Sequence, residues 1–300
     1  MKNINRRRFI QKGAQGMAGA IALSSGLSNL SFIQPDKTVT IDTVDLGHTG
    51  MKVPRLALGT GSGGYRHTSN QHKLGEKKFV QLAQYAYDRG IRFYETADMY
   101  GTHEFVGSAM KKVGRENITL LTKVMVYQHG DWYTPEPFQK SLDRFRKELQ
   151  TDYIDILLLH CMVNTEWPDE YKRYMDGFLA AKEKGIIKKV GLSCHDFGAL
   201  EVAAESDWAD VLLARINYEG ARMDGPPADV MPVLQKAKNS GKGVIGMKVF
   251  GCGALTEDEQ REKSLNYVMN SGNVHCMTIG LENEEQVDDA VERVMRIAKV

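Results

Sequence analysis

The chain has 300 residues, 42% hydrophobic and 26% charged, which is enough apolar content to bury a sizeable core and too balanced for a disordered, collagenous or low-complexity protein. Its formal net charge of +1 conceals an asymmetry: Lys2, Arg6, Arg7, Arg8 and Lys12 put five positive charges into residues 1–33, where no carboxylate stands, leaving −4 on the remainder. A mildly acidic body without a basic stripe argues against nucleic acid as a partner, and four cysteines in this length make no disulfide scaffold.

The basic cluster precedes a short apolar stretch, residues 13–23, rich in Gly, Ala and Ser and too short to span a bilayer. Within it Asn5-Arg6-Arg7-Arg8-Phe9-Ile10-Gln11-Lys12 resembles a twin-arginine export signal. That resemblance implies a signal segment over residues 1–34, the twin-arginine export machinery as a partner, and delivery of an already folded protein to the periplasm without stable membrane insertion. A solvated basic tail on a cytoplasmic protein is the alternative.

Residues 44–55, with Gly47 and Gly50 between two strand-like pieces, predict a hairpin able to plug a barrel floor. From there one unit repeats: a short β-branched apolar run, a loop, an amphipathic helical stretch and a Gly or Asn stop. The predicted strands are 56–59, 92–96, 118–124, 153–160, 188–193, 211–217, 243–250 and 274–281. The helices that follow them are 73–89, 102–113, 135–150, 168–184, 197–206, 228–240, 256–271 and 283–299. Eight of each in strict alternation, with near-continuous apolar strands such as 154–159, predict a closed (β/α)8 barrel formed by residues 35–300 as a single domain. A doubly wound open sheet would carry G-x-G-x-x-G at its first turn. Gly59-Thr60-Gly61-Ser62-Gly63-Gly64 lacks that spacing and suits a loop that something approaches closely.

Chemistry in such barrels sits at the carboxyl ends of the strands. There the apolar runs are interrupted by Glu95-Thr96-Ala97-Asp98-Met99-Tyr100-Gly101, by Thr122-Lys123, by His160-Cys161 and by Ser193-Cys194-His195. A lysine inside the run 120–126 is expensive to bury without a carboxylate partner, so Lys123 must find one or lie in a site. Zinc would need three or four convergent ligands. Cys161, Cys194 and Cys252 show no C-x-x-C or His-x-x-x-His spacing, so no metal is expected and buried free thiols are favoured over a Cys161–Cys194 bridge.

Taken in order, Leu46-Gly47-x-Thr49-Gly50, Leu58-Gly59-Thr60-Gly61, 95–101, Leu121-Thr122-Lys123, Asp155-Ile156-Leu157-Leu158-Leu159-His160 and Val190-Gly191-Leu192-Ser193 make the chain similar to the aldo-keto reductase superfamily over nearly its whole length after the signal. The resemblance implies interconversion of a carbonyl compound, an aldehyde, ketone or sugar, and an alcohol, by hydride transfer from a nicotinamide. Tyr100 would be the general acid/base, Lys123 would lower the phenol pKa, and His160 would hydrogen-bond the carbonyl oxygen. Glu95 stands where the family has aspartate, one methylene longer. For the cofactor the resemblance implies the Gly59, Thr60, Gly61 loop and Ser193 for the carboxamide, with Cys194 replacing an asparagine. Met247 stands where an aromatic stacks on the ring, and Lys248, Phe250, Gly251, Gly280 and Glu282 lie in the phosphate-binding loops. The acidic run 281–286 would repel a 2′-phosphate, favouring NAD(H) over NADP(H). The loops 127–137, 162–168 and 218–227 would bring Tyr127, Trp132, Trp167 and Tyr218 to the substrate. The absence of a long tail beyond the eighth helix implies an open mouth, or one closed by a partner subunit. Glu95 and Cys194 also admit a weakly catalytic or non-catalytic nucleotide-binding barrel that acts as a sensor or partner subunit.

Overall fold

The computed structural model describes residues 41–299, so the export-signal reading of residues 1–34 lies outside the described residues. Two short antiparallel strands, β1 (Thr43–Asp45) and β2 (Lys52–Pro54), form the hairpin. Eight parallel strands follow: β3 (Leu56–Gly59), β4 (Phe93–Glu95), β5 (Thr119–Val124), β6 (Ile154–Met162), β7 (Ile187–Cys194), β8 (Val211–Arg215), β9 (Gly243–Met247) and β10 (Cys276–Gly280). They close in sequence order, β10 pairing with both β9 and β3, and each is followed by a helix that covers it. This is the predicted (β/α)8 barrel.

Strands buried on both faces sort their side chains by the period of two. In β6, Leu157 and Leu159 join the cluster that faces the helices, whereas Ile156 and Leu158 belong to a second cluster inside the barrel with Ala57, Phe93, Leu121, Val211, Leu213 and Ile245. The hairpin completes that inner cluster. Leu46 and Val53 are wholly buried in it, and the His48 N–H donates to the Gly241 carbonyl at 2.7 Å, just ahead of β9. A side chain at Gly47 is impossible there, since its Cβ would lie 2.5 Å from the same carbonyl. The amino-terminal end of the barrel is thus plugged, and the opposite end is left for chemistry.

Two predicted strands end early. β8 stops at Arg215 because the Asn217 side chain takes over the turn, donating to the Ala221 and Lys248 carbonyls and accepting from the Glu219 and Ala221 amides. β9 stops at Met247 because Lys248 adopts a left-handed φ of 55°. The last helix, α10 (Glu284–Ile297), is the tenth among the described residues and is capped by Asn283, whose side chain accepts from the Gln286 amide. Such a cap contributes about 1 kcal/mol, and Glu284 and Glu285 in the first turn favour the helix dipole. Among the described residues no helix is long and apolar enough to cross a membrane.

Candidate active site

The alternation that fills the barrel also decides what its open end presents. Continuing each inward row by two residues delivers Gly59, Glu95, Lys123, His160, Ser193, Arg215, Met247 and Thr278 to one layer. Lys123 has a fully buried side chain; its ammonium donates to Glu95 Oε1 in a short contact and to the Thr96 carbonyl at 2.8 Å. The second Glu95 oxygen accepts from Thr278 at 3.0 Å. Lys123 Nζ lies 4.6 Å from the centroid of the Tyr100 ring, and that ring meets His160 edge-to-face with centroids 5.6 Å apart. Four of the residues singled out in the sequence therefore lie together.

Tyr100 ends a single 3-10 turn, Asp98–Tyr100, closed by Gly101 at φ 70°. Arg144 on α4 (Phe138–Glu148) grips both Asp98 oxygens at 2.8 and 2.9 Å and reaches Glu148 at 3.1 Å. His103 continues the network, from Glu148 at 2.9 Å to Thr122 at 2.7 Å, beside Lys123. Asp98, His103 and Glu148 are close enough to share a cation, and the Arg144 guanidinium supplies it. The network fixes the tyrosine-bearing turn to α4 and β5. The glycine-rich loop does the same from above: a Cβ at Gly61 or Gly64 would come within 2.3 or 2.5 Å of the Tyr100 ring.

Burial raises the Tyr100 phenol well above its ordinary pKa, and the Glu95 carboxylate adds to the effect. The sequence expectation of a lowered phenol pKa is corrected: burial, reinforced by Glu95, outweighs the stabilisation that the Lys123 ammonium 4.6 Å from the ring centroid offers a phenolate, so the phenol rests protonated. Burial lowers the Lys123 pKa, opposed by Glu95. Burial, then Lys123, pushes His160 well below the usual imidazole range, so it is neutral, and its Nδ1 is buried without a partner among the described residues. Beside it, Cys161 Sγ sits 2.8 Å from His195 Nδ1. The Cys161 thiol is pushed up to about 11 by burial and His195 down to about 2 by burial and Lys248, so both are neutral.

A groove of about 680 Å³ opens beside Tyr100 and runs across β3, β10 and β9 to the start of α10. That size suits a drug-sized or dinucleotide ligand. Gly59, Gly61, Met247, Lys248, Phe250, Gly280 and Glu282 all line it. A nicotinamide dinucleotide fits the donor set: backbone at the glycines, a thioether face at Met247, and an ammonium and a helix amino terminus for a diphosphate. Lys248 has no carboxylate within 4.0 Å among the described residues, a half-buried cation without a counter-charge.

Other expectations are corrected. Thr60 is fully buried, its hydroxyl bonded to Thr102 at 2.8 Å. The Ser193 hydroxyl accepts from the Cys161 amide at 2.8 Å and keeps its own O–H to donate, whereas Cys194 points outward into the helix-facing core. Gly251 does not itself line the groove, although Phe250 and Cys252 on either side of it do, and a Cβ there would meet Ala221 and Ala254. Trp167 is wholly buried and packs against Trp208, so it serves the core and not the substrate loop. Of the rim residues, Tyr127 is half-buried with its hydroxyl on the Cys161 carbonyl at 3.1 Å, Trp132 joins a ring cluster with Tyr65 and His129, and Tyr218 carries Lys263 over its face. All four cysteines are free, and Cys252, expected to be buried, is exposed. Thr278 and Arg215 escaped the sequence reading, although both complete inward rows already visible as a period of two. Arg215 forms a short ion pair with Asp224, whose side chain is fully buried.

The model of the aldo/keto reductase family matches residues 55–300. Among curated proteins, the chain is 27% identical over 248 residues to an L-galactose dehydrogenase from Arabidopsis thaliana, covering 78% of this chain and 75% of that protein. It is 31% identical over 149 residues to a methylglyoxal reductase from Escherichia coli O157:H7, covering 48% and 46%. Among solved structures, the holo form of an aldo-keto reductase from Bacillus halodurans superimposes with a TM-score of 0.69 at 21% identity, over 86% of this chain and 96% of that one. An aldo/keto reductase from Klebsiella pneumoniae in complex with NADP and acetate gives 0.62 at 17% identity, over 86% and 90%. At those identities the structures show the shared fold.

Proposed function

The chain belongs to the aldo/keto reductase family of oxidoreductases, and on that premise we propose that it interconverts a carbonyl compound and an alcohol with a nicotinamide dinucleotide, Tyr100 giving and taking the proton. What carries the reading is the meeting of Tyr100, Lys123, Glu95 and His160 at the open end of the barrel, beside the groove. When bound, the nicotinamide supplies the hydride in reduction and accepts it in oxidation. The neutral His160 imidazole and the protonated Tyr100 hydroxyl both offer hydrogen bonds to the carbonyl oxygen. As that oxygen gains charge, the phenol proton moves to it. The Lys123 ammonium across the ring then stabilises the phenolate that remains, and Glu95 holds Lys123 in place.

Lys248 and the first amides of α10 would hold the diphosphate, and Met247 would cover the nicotinamide. Glu282, Glu285 and Asp289 line the far end of the groove, where Arg261 is paired to Asp289 at 3.1 Å, so NAD(H) is favoured over NADP(H). Tyr127, Trp132 and Tyr218 flank the mouth and suit a small polar aldehyde or sugar, the kind of compound named for the L-galactose dehydrogenase and the methylglyoxal reductase. Residues 1–34 would direct the folded, loaded domain of residues 35–300 through the twin-arginine machinery to the periplasm.

The test is nucleotide-linked turnover on a panel of small aldehydes, dicarbonyls and aldoses, with NADH and NADPH and their oxidised forms. Tyr100→Phe should lower kcat by about 10²–10⁴-fold with nucleotide affinity kept. A wild-type protein that binds nucleotide yet turns over nothing in the panel would favour the sensor or partner-subunit reading instead.

A further inference from the structure

Glutamate at position 95 raises a geometric question that the rest of the top layer answers. A glutamate has one more rotatable bond than an aspartate, so a carboxylate held only by Lys123 could swing and take the ammonium with it. Glu95 is held at both oxygens. Oε1 takes the Lys123 ammonium, and Oε2 accepts from the Thr278 hydroxyl at 3.0 Å in a buried contact. Thr278 is on β10 and Glu95 on β4, the two strands that flank β3. The bond crosses β3 at Gly59, the register partner of Glu95, where a Cβ would lie 2.8 Å from the Thr278 hydroxyl oxygen. Any larger residue at 59 would close the passage. A β-branched threonine on a regular strand has few rotamers, so its hydroxyl is aimed by the backbone.

We propose that Thr278 is a positioning residue for the reaction: passing the side-chain-free Gly59, it pins the second oxygen of Glu95 so that the first holds Lys123 against the Tyr100 ring. The inference rests on the reductase reading of this site. Thr278 touches Glu95 and acts on the proton-transferring pair through it. Without the hydroxyl, the second Glu95 oxygen has no partner and the carboxylate turns more freely, so the ammonium is held less closely and Lys123 gives up its proton at lower pH.

The experiment compares Thr278→Val, which keeps the shape and drops the hydroxyl, with Thr278→Ser, which keeps the hydroxyl, in the full chain with cofactor. For Thr278→Val, kcat should fall on the order of tenfold with KM changed less than about twofold, and the high-pH limb of kcat for carbonyl reduction should move to lower pH. Thr278→Ser should restore both. A Thr278→Val enzyme with wild-type kcat and an unmoved limb, alongside an inactive Tyr100→Phe, overturns the proposal and leaves the reductase reading standing. If the wild type turns over no carbonyl, that reading fails, and the pinning is judged by a thermal-melt cycle of Thr278→Val with Glu95→Gln. Non-additive shifts there uphold the contact, and additive ones refute it.

Discussion

Replacing Glu95 by glutamine tests whether the buried pair is organised as described. The Lys123 side chain is wholly buried, and its acceptors are Glu95 Oε1 and the Thr96 carbonyl. Removing the carboxylate charge leaves an ammonium with one neutral acceptor and no water, and breaking a buried pair from one side costs about 3–5 kcal/mol. For a domain of this size that lowers Tm by roughly 6–15 °C. The reciprocal change, Lys123→Met, should cost less, because Glu95 keeps Thr278 and borders the groove, where it can take up a proton or water. The double variant should be more stable than Glu95→Gln alone, since no uncompensated charge remains. In Glu95→Gln the folded-state lysine pKa falls below its unfolded value, so the unfolded chain binds more protons and the deficit should shrink as pH rises towards 10. Thermal melts of the four proteins between pH 6 and 10 give the cycle. Additive losses, or a deficit independent of pH, would refute a charge-coupled pair.

Three further outcomes follow from the geometry. Because burial and Glu95 hold Tyr100 protonated, carbonyl reduction should run on a plateau through neutral pH while alcohol oxidation climbs with pH; coincident optima in the two directions would contradict this. Gly64→Ala sets a Cβ 2.5 Å from the Tyr100 ring without bordering the groove, so kcat should drop about 10–100-fold with nucleotide affinity retained, as fluorescence titration would report. Trp167→Ala should cost about 3–5 kcal/mol and leave KM unchanged; a raised KM at unaltered stability would return Trp167 to the substrate rim.

Much of this protein is written in its period. Alternation of short apolar runs with amphipathic helices determined the barrel, and polar residues interrupting those runs marked Glu95, Lys123 and His160, because a charge or imidazole in an apolar strand needs a partner wherever it lands. Tyr100 was legible from its place just past a strand end. Tertiary structure alone decided what each side chain meets. Ser193 and Cys194 are adjacent letters, yet pleating turns one into the barrel, where a bulged Cys161 amide claims it, and the other into the helix layer. Trp167 is a loop aromatic by sequence and a core residue by contact with Trp208, 41 positions away. The phenol pKa likewise depends on burial and on how near the Glu95 carboxylate comes, neither of which has a local signature. Thr278 and Glu95, 183 residues apart, meet only because the sheet closes on itself and Gly59 leaves the way open. Local pattern fixes which way a side chain leaves its own strand, and only closure of the barrel brings the partners of distant strands within hydrogen-bonding reach.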